Sequence, residues 1–517
     1  MDADLTPPSA RGDTRGIGRF EVRALLGWAA LVLGAVPFLL LWLLVQRSWS
    51  PLASLDGEVA AGLNDAVSDS PLLVSALSAV TDLGGTGVAV LVLTLATVFL
   101  LVRRRRRLAA FVVTAGLGLA VLGPVTKAVV DRARPVVESP VVETPSNASF
   151  PSGHSMTAVV TWGVLLLLAL PSVPRRARPW LIAATALLVL AIGSTRLALG
   201  VHFVSDVLAG WALGAGWLAV TAAAFRGWQH DGGRPADQPL DPLDVPPGEA
   251  VRLAAAADPV APDRRRAALR LLGVAAALFV VVSGLGLLVT GALTGTWLGE
   301  VDRSVVRWSL DLRSPDLTPV VDAVGRLAGT RTVLALGLTL AVLALAVTAS
   351  WRPVVFVAVT LVGEVTLYFL SAQLVGRVRP AVADLTSGLP SGASWPSGHA
   401  AAAAALYGAV AAVVVVYTRG QWRWAVLALP LLVAPAVGVA RVYVAAHHPT
   451  DVLAGLLLGG LWVYACARTL LPAPGTGIRA GTAVPAPSSR ASRTDHPLGD
   501  HPSPTTTPQE QRRPIVR

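Results

Sequence analysis

The sequence predicts an all-α integral membrane protein made of two tandem six-helix transmembrane repeats, and three observations carry that prediction. Hydrophobic residues make up 54% of the 517 and the mean hydropathy is +0.62, too apolar for an ordinary soluble chain. The apolar residues gather in runs close to the ~20 residues that a helix needs to cross a bilayer, with short polar loops between them. Polar landmarks also recur at one spacing: Arg134 and Arg379, Ser152 and Ser397, Arg196 and Arg441, His202 and His447, and Asp206 and Asp451 each stand 245 residues apart. Coincident offsets of that kind mark an internal duplication.

Residues 1–20 form a polar tail with Arg11, Arg15 and Arg19 and read as cytoplasmic. The run from about Leu25 to Val45 is longer than a signal peptide's apolar core and lacks a small-residue cleavage site, so it reads as an uncleaved first span. A half-polar stretch, Pro51 to Asp82, suits a helix at the outer interface. Spans follow at about 87–102 and 108–125, divided by the five arginines Arg103 to Arg107 in the kind of short loop where the positive-inside bias acts. Lys127 and Arg134 are thereby delivered outside. A fourth span runs from His154 to near Leu170. The loop Pro171 to Pro179, with Arg175, Arg176 and Arg178, is cytoplasmic; a fifth span returns to Thr195 and Arg196, and a sixth covers about Val204 to Ala224.

The first membrane domain is thus 21–225. A cytoplasmic linker, 226–266, is rich in Pro, Asp and Arg and has no apolar periodicity. The second domain, 267–471, has spans at about 269–293, 333–349, 354–374, 400–417, 424–440 and 452–471, and a disordered tail, 472–517, follows. An even number of spans per half makes the repeats parallel, so both termini are cytoplasmic and both candidate sites are extracytoplasmic. An inverted-repeat transporter would instead frame one site at the midplane. Arg303, Arg307, Arg313 and Arg326 fall on the outer side of this topology and are assigned to an external interface helix.

The net charge of +11 does not indicate nucleic acid, because the basic residues lie in clusters between apolar runs, as a topology signal does. One cysteine, Cys466, excludes an intramolecular disulfide and a Cys-based metal site and reads as a small buried hydrophobe. Of 42 Lys and Arg residues only Lys127 is lysine, which singles it out as a position where arginine does not serve.

In the first half, Pro151-Ser152-Gly153-His154 opens an apolar run and reads as a helix N-terminus whose N–H groups can hold an anion. His202 and Asp206 are four apart at a helix start, so the carboxylate can orient one ring nitrogen and leave the other for attack or proton abstraction. Lys127, Arg134 and Arg196 suit a group with several anionic oxygens, with the Ser152 and Gly153 backbone adding donors. His154 is left to protonate a leaving group.

Lys127-x6-Arg134-Pro135, Pro151-Ser152-Gly153-His154 and Thr195-Arg196-x5-His202-x3-Asp206 resemble the motifs of the type 2 phosphatidic acid phosphatase superfamily of integral-membrane lipid phosphatases, with Thr195 in place of the usual Ser. The resemblance covers both membrane halves, and it implies a fold like the chloroperoxidase helical bundle. It also implies a phosphoryl transfer with no metal or cofactor, in which His202 forms a phosphohistidine, Asp206 supports it and His154 protonates the departing oxygen. The substrates implied are lipid phosphates such as phosphatidic acid or phosphatidylglycerol phosphate, or polyprenyl diphosphates, at the outer leaflet. Haloperoxidases are similar only at the site and are soluble, so their activity is discounted.

The second half has Arg379-Pro380, Pro396-Ser397-Gly398-His399 and Arg441-x5-His447-x3-Asp451, with Ala440 for the Ser and Ala372 for the Lys. The same catalytic roles carry over to His447, Asp451 and His399, and the same binding roles to Arg379, Ser397, Gly398 and Arg441. Loss of the lysine costs ~2–4 kcal/mol of transition-state stabilisation, and Arg377 is the neighbouring cation that could compensate. Glu364 lies mid-span and suggests either a helix–helix hydrogen bond, a protonated carboxyl or a functional group. His448 has no assigned role. Competing readings are a transferase that passes the phosphoryl or phospho-head group to another acceptor, a non-hydrolytic lipid-phosphate binder or transporter, and a second half that only scaffolds the first.

Overall fold

The computed structural model describes residues 27–28, 30–231, 263–380 and 393–473. The 1–20 tail, residues 232–262 of the linker and the tail beyond 473 lie outside the described residues.

The described residues form sixteen α-helices, eight in each half. The first half contains α1 (Val36–Gln46, entered through a π-helical turn, Ala30–Ala35), α2 (Ser50–Ser68), α3 (Pro71–Asp82), α4 (Thr86–Val102), α5 (Arg106–Val130), α6 (Gly153–Ala169), α7 (Arg178–Ala198) and α8 (Val204–Asp231). The second repeats the order with α9 (Arg264–Thr290), α10 (Trp297–Asp311), α11 (Leu317–Arg326), α12 (Thr330–Thr348), α13 (Arg352–Val375), α14 (Gly398–Tyr417), α15 (Ala428–Tyr443, preceded by a 3₁₀ turn) and α16 (Pro449–Leu470). Eleven of the described helical segments are long and apolar enough to cross a membrane, and a twelfth is added if α1 and α2, bent by 93°, count as one broken span.

The bend falls where Ser48 takes a left-handed φ of 46° and Pro51 opens α2. The first expected span therefore ends in a sharp turn. The half-polar stretch, expected as one helix at the outer interface, is two helices: α2 packs on α7 and α8, and α3 packs on α7. Their inward side carries Asp56, Asn64 and Thr81, all buried. The most consequential residue of this stretch is Asp56, a fully buried carboxylate on α2.

Within each half the helix that opens at Ser-Gly-His packs on the helix that carries the Asp: α6 on α8, and α14 on α16. Small residues one turn apart permit the approach. A side chain at Gly210 would strike the Ser152 carbonyl, and one at Gly455 the Ser397 carbonyl. The closeness ties the two motif segments by backbone, since Ser152 N–H donates to Asp206 O and Ser397 N–H to Asp451 O, both at 2.9 Å. Trp217 Nε1 donates to Ala115 O and Trp462 Nε1 to Thr360 O, each at 3.0 Å, fixing α8 on α5 and α16 on α13 in the same register. The halves meet where α12 packs on α4. An exposed Arg331–Asp82 pair at 3.8 Å accompanies that contact and adds little stability.

Candidate active site

Three segments of the first half converge: the end of α5 with the loop after it, the start of α6, and the turn from α7 into α8. Ser152 caps α6, its Oγ accepting from Ser155 N at 3.4 Å, which places His154 in the first turn. His202 is buried and its Nδ1 lies 3.3 Å from Asp206 Oδ2. Arg134 Nη1, a donor only, lies 3.1 Å from His202 Nε2. The lone pair is therefore on Nε2, and Nδ1–H donates to the carboxylate. Burial pushes the His202 pKa down to about 4 against the pull of Asp206, so the ring is neutral at ordinary pH.

Arg134 is itself fixed: Nη1 donates to Val201 O at 2.7 Å, and Nε and Nη2 donate to the Asn147 carbonyl and amide oxygens at 2.9 and 2.6 Å. Lys127 Nζ donates to Ala148 O, and Arg196 Nη1 to Thr81 Oγ1 at 3.1 Å. A phosphoryl oxygen that takes the Arg134 N–H from His202 would free the ring nitrogen facing it.

Behind Asp206 stands a buried network absent from the sequence reading. Arg132 Nη1 donates to Asp206 Oδ1 and to Ser205 Oγ, both at 2.7 Å, and Nη2 donates to Asp56 Oδ2 at 2.8 Å. Asp56 also accepts from Ser205 N at 2.9 Å, and Asp206 Oδ2 from Phe203 N at 3.0 Å. The Arg132 guanidinium lies 4.1 Å from the Phe203 ring centroid. Arg132 thus pairs with the Asp206 carboxylate and holds it turned toward the histidine. The signal that would have found it is the repeat itself: Arg377, 245 residues on, does the same work.

Lys127, Arg134, Gly153, His154, Arg196 and His202 line one cavity of about 800 Å³. Beyond this polar end the walls are apolar, made by Val90, Leu93 and Val98 of α4 and Val112, Gly116 and Leu119 of α5. At 1.5 Å per residue, Val112 to Lys127 corresponds to roughly 20 Å of groove.

In the second half Arg377 donates to Asp451 Oδ1, to Thr450 Oγ1 at 2.7 Å and to Asp302 Oδ2 at 2.7 Å. It is the register partner of Arg132, committed to two carboxylates, and does not replace the missing lysine. His447 departs from its counterpart. Its Nδ1–H donates to Ser394 O at 2.7 Å and lies 3.8 Å from Asp451, so a backbone carbonyl and not the carboxylate orients the ring. Nε2 lies 3.5 Å from Arg379 Nη1, and burial lowers the His447 pKa. Ser397 N–H ties α14 to the α16 turn, while His399 and Arg441 line a separate cavity of about 240 Å³. Glu364 is buried on α13, and Pro449 opens α16.

Residues 107–229 and 353–473 each match the PAP2 superfamily. Each half thus contains one stretch that matches this family. One protein similar to part of the chain is phosphatidylglycerophosphatase B of Bacillus subtilis, 42% identical over 96 residues, which are 18% of this chain and 46% of that protein. Another is an undecaprenyl-diphosphatase of Sulfolobus acidocaldarius, 38% identical over 110 residues, 21% of this chain and 48% of that one. The chain spans about half the length of these curated relatives. A solved PAP2-type phosphatidylglycerolphosphate phosphatase from Bacillus subtilis aligns with a TM-score of 0.35 and 24% identity over 40% of this chain and 97% of that one.

Proposed function

We propose that the chain is a lipid phosphatase whose first PAP2 domain, 21–225, hydrolyses a lipid phosphomonoester or polyprenyl diphosphate at the extracytoplasmic face. The observation that carries this reading is the amphipathic cavity: three cations and two histidines at one end, and a groove of α4 and α5 side chains long enough for an acyl or prenyl chain. A soluble phosphate needs no such groove, and a neutral lipid needs no such head. The Arg103 to Arg107 cluster at the opposite end of α5 from Lys127 supports the outward placement by the positive-inside bias.

In this mechanism Lys127, Arg134 and Arg196 hold the phosphoryl oxygens and His202 Nε2 attacks phosphorus. As the P–N bond forms the P–O bond breaks, and His154 protonates the departing oxygen. Asp206, held by Arg132, stabilises the positive charge that develops on the His202 ring. Water then cleaves the phosphohistidine and releases phosphate. No metal is assigned a step.

The test is phosphate release from phosphatidic acid, phosphatidylglycerol phosphate and a polyprenyl diphosphate in EDTA, with trapping of an acid-labile phosphoprotein. Turnover in chelator with a trapped adduct that His202→Ala removes is the expected result. Turnover that needs an added divalent metal, or an adduct that survives His202→Ala, contradicts the mechanism.

A further inference from the structure

The second half keeps the Arg377–Asp302–Asp451 network but not the lysine, and it puts larger side chains on the helix face that borders the first cavity. Gly116, Leu119, Gly123 and Lys127 of α5 all line the first cavity, and their spacing of three and four puts them on one helix face. The residues 245 further on are Leu361, Glu364, Tyr368 and Ala372 of α13. Leu361 lies over Gly337 of α12, where an added Cβ would come within 2.6 Å of its Cδ1, and the Tyr368 ring lies over Gly398, where a Cβ would come within 2.9 Å. Two glycines that leave room in the first half are thus side chains that fill it in the second. The Glu364 carboxyl occupies the register of Leu119.

Among the described residues of the second half, a different space lies between α11, α14 and α15. At about 240 Å³ it is under a third of the first cavity's 800 Å³. His399 and Arg441 line it, with Asp322 and Arg326 of α11, and its few apolar contributors are Val321, Ala440 and Val444. That space suits a phosphate and a few more atoms but not a chain.

We propose that the second domain takes a phosphate group that carries no apolar chain, as a small water-soluble phosphomonoester or as inorganic phosphate, and that Leu361 and Tyr368 exclude lipid from it. The proposal rests on reading the first cavity as a lipid-phosphate site. For an ester seated against His399 with its phosphorus turned toward His447, which lies outside the lining of that space, His447 Nε2 attacks phosphorus, the P–O bond breaks as the P–N bond forms, and His399 gives its proton to the departing oxygen. Water then cleaves the P–N bond and leaves inorganic phosphate.

The test uses the full chain carrying His202→Ala. Release of phosphate from phosphatidic acid should fall at least 100-fold. Release from glycerol 3-phosphate that His447→Ala lowers at least tenfold supports the ester form; titration with inorganic phosphate whose affinity Arg441→Ala weakens at least tenfold supports the free-anion form. Adding Leu361→Gly, Tyr368→Gly and Ala372→Lys should raise phosphatidic acid turnover at least tenfold, and if that variant does not fold, the preceding comparisons decide. Lipid turnover that persists in His202→Ala and disappears with His447→Ala overturns the proposal, as does an ester and phosphate response indifferent to both His447 and Arg441. A wild-type chain inert toward every lipid phosphate sinks the reading of the first cavity instead, and leaves the glycerol 3-phosphate and phosphate results to stand by themselves.

Discussion

The α5 and α13 helices occupy the same place in their halves, receive the same tryptophan hydrogen bond and lead to the same Arg-Asp-hydroxyl network, yet one presents Gly116 and Gly123 to an open groove where the other carries Leu361 and Tyr368. What they share is polar and mutually dependent. Arg132 holds Asp56 and Asp206, and Arg377 holds Asp302 and Asp451; removing one partner of such a buried set leaves uncompensated charge at a cost of ~3–5 kcal/mol. What differs most is one helix face whose positions touch the cavity and not the network, together with the histidine, which Asp206 orients in one half and the Ser394 carbonyl in the other. A duplicated domain can therefore alter what lines its site while the arginine-carboxylate network behind it is retained.

The comparison breaks most visibly at Lys127. Its replacement by alanine, which copies Ala372, should lower lipid-phosphate kcat by ~10²–10³-fold, the range for loss of one preorganised donor to a developing oxyanion. A loss below threefold would mean that the second half lacks nothing by lacking its lysine. Next is Gly123→Tyr, which copies Tyr368 into the first groove. Turnover of a long-chain phosphatidic acid should drop about 100-fold while a short-chain phosphate drops far less, and equal losses for both would point to damage at the catalytic residues.

Asp56→Asn weakens the support of Asp206 at one remove and should cost ~10–100-fold in kcat, as outer-shell partners of catalytic groups do. Because the nucleophile must be neutral, protonation of His202 ends activity, and burial sets that event at about 4. The value of kcat/KM for a lipid phosphate should change less than twofold from pH 7 to pH 5 on this group's account and decline tenfold per unit below its pKa; an acid limb near 6.5 would mean that water reaches the ring. The smallest effect is at Ala445, whose φ of 54° matches the 70° of its register partner Gly200. Ala445→Gly should add about 0.5–1 kcal/mol of stability, read as a raised unfolding midpoint in detergent.

The sequence made the span pattern and the duplication legible because apolar length and a fixed offset are one-dimensional properties. It also named the histidines and most of the cations, since they sit in short motifs beside helix ends. Asp56 was not legible. It lies 76 residues before Arg132 in a half-polar helix, and only the packing of α2 on α8 brings the two together. Arg377 was legible but misassigned, because nearness to Ala372 in the chain suggested substitution while the register with Arg132 gives its place. The exchange of Gly116 and Gly123 for Leu361 and Tyr368 was also there to be read. Its meaning depends on knowing that this face of α5 lines a cavity, which no periodicity reveals.

The most direct measurement is phosphatidic acid turnover by the intact chain in a defined detergent micelle, comparing His202→Ala with His447→Ala. Loss of at least 100-fold with His202→Ala and less than twofold change with His447→Ala is the expected result. Comparable losses from the two substitutions, or loss with His447→Ala alone, would show that the halves do not divide the work as their grooves indicate.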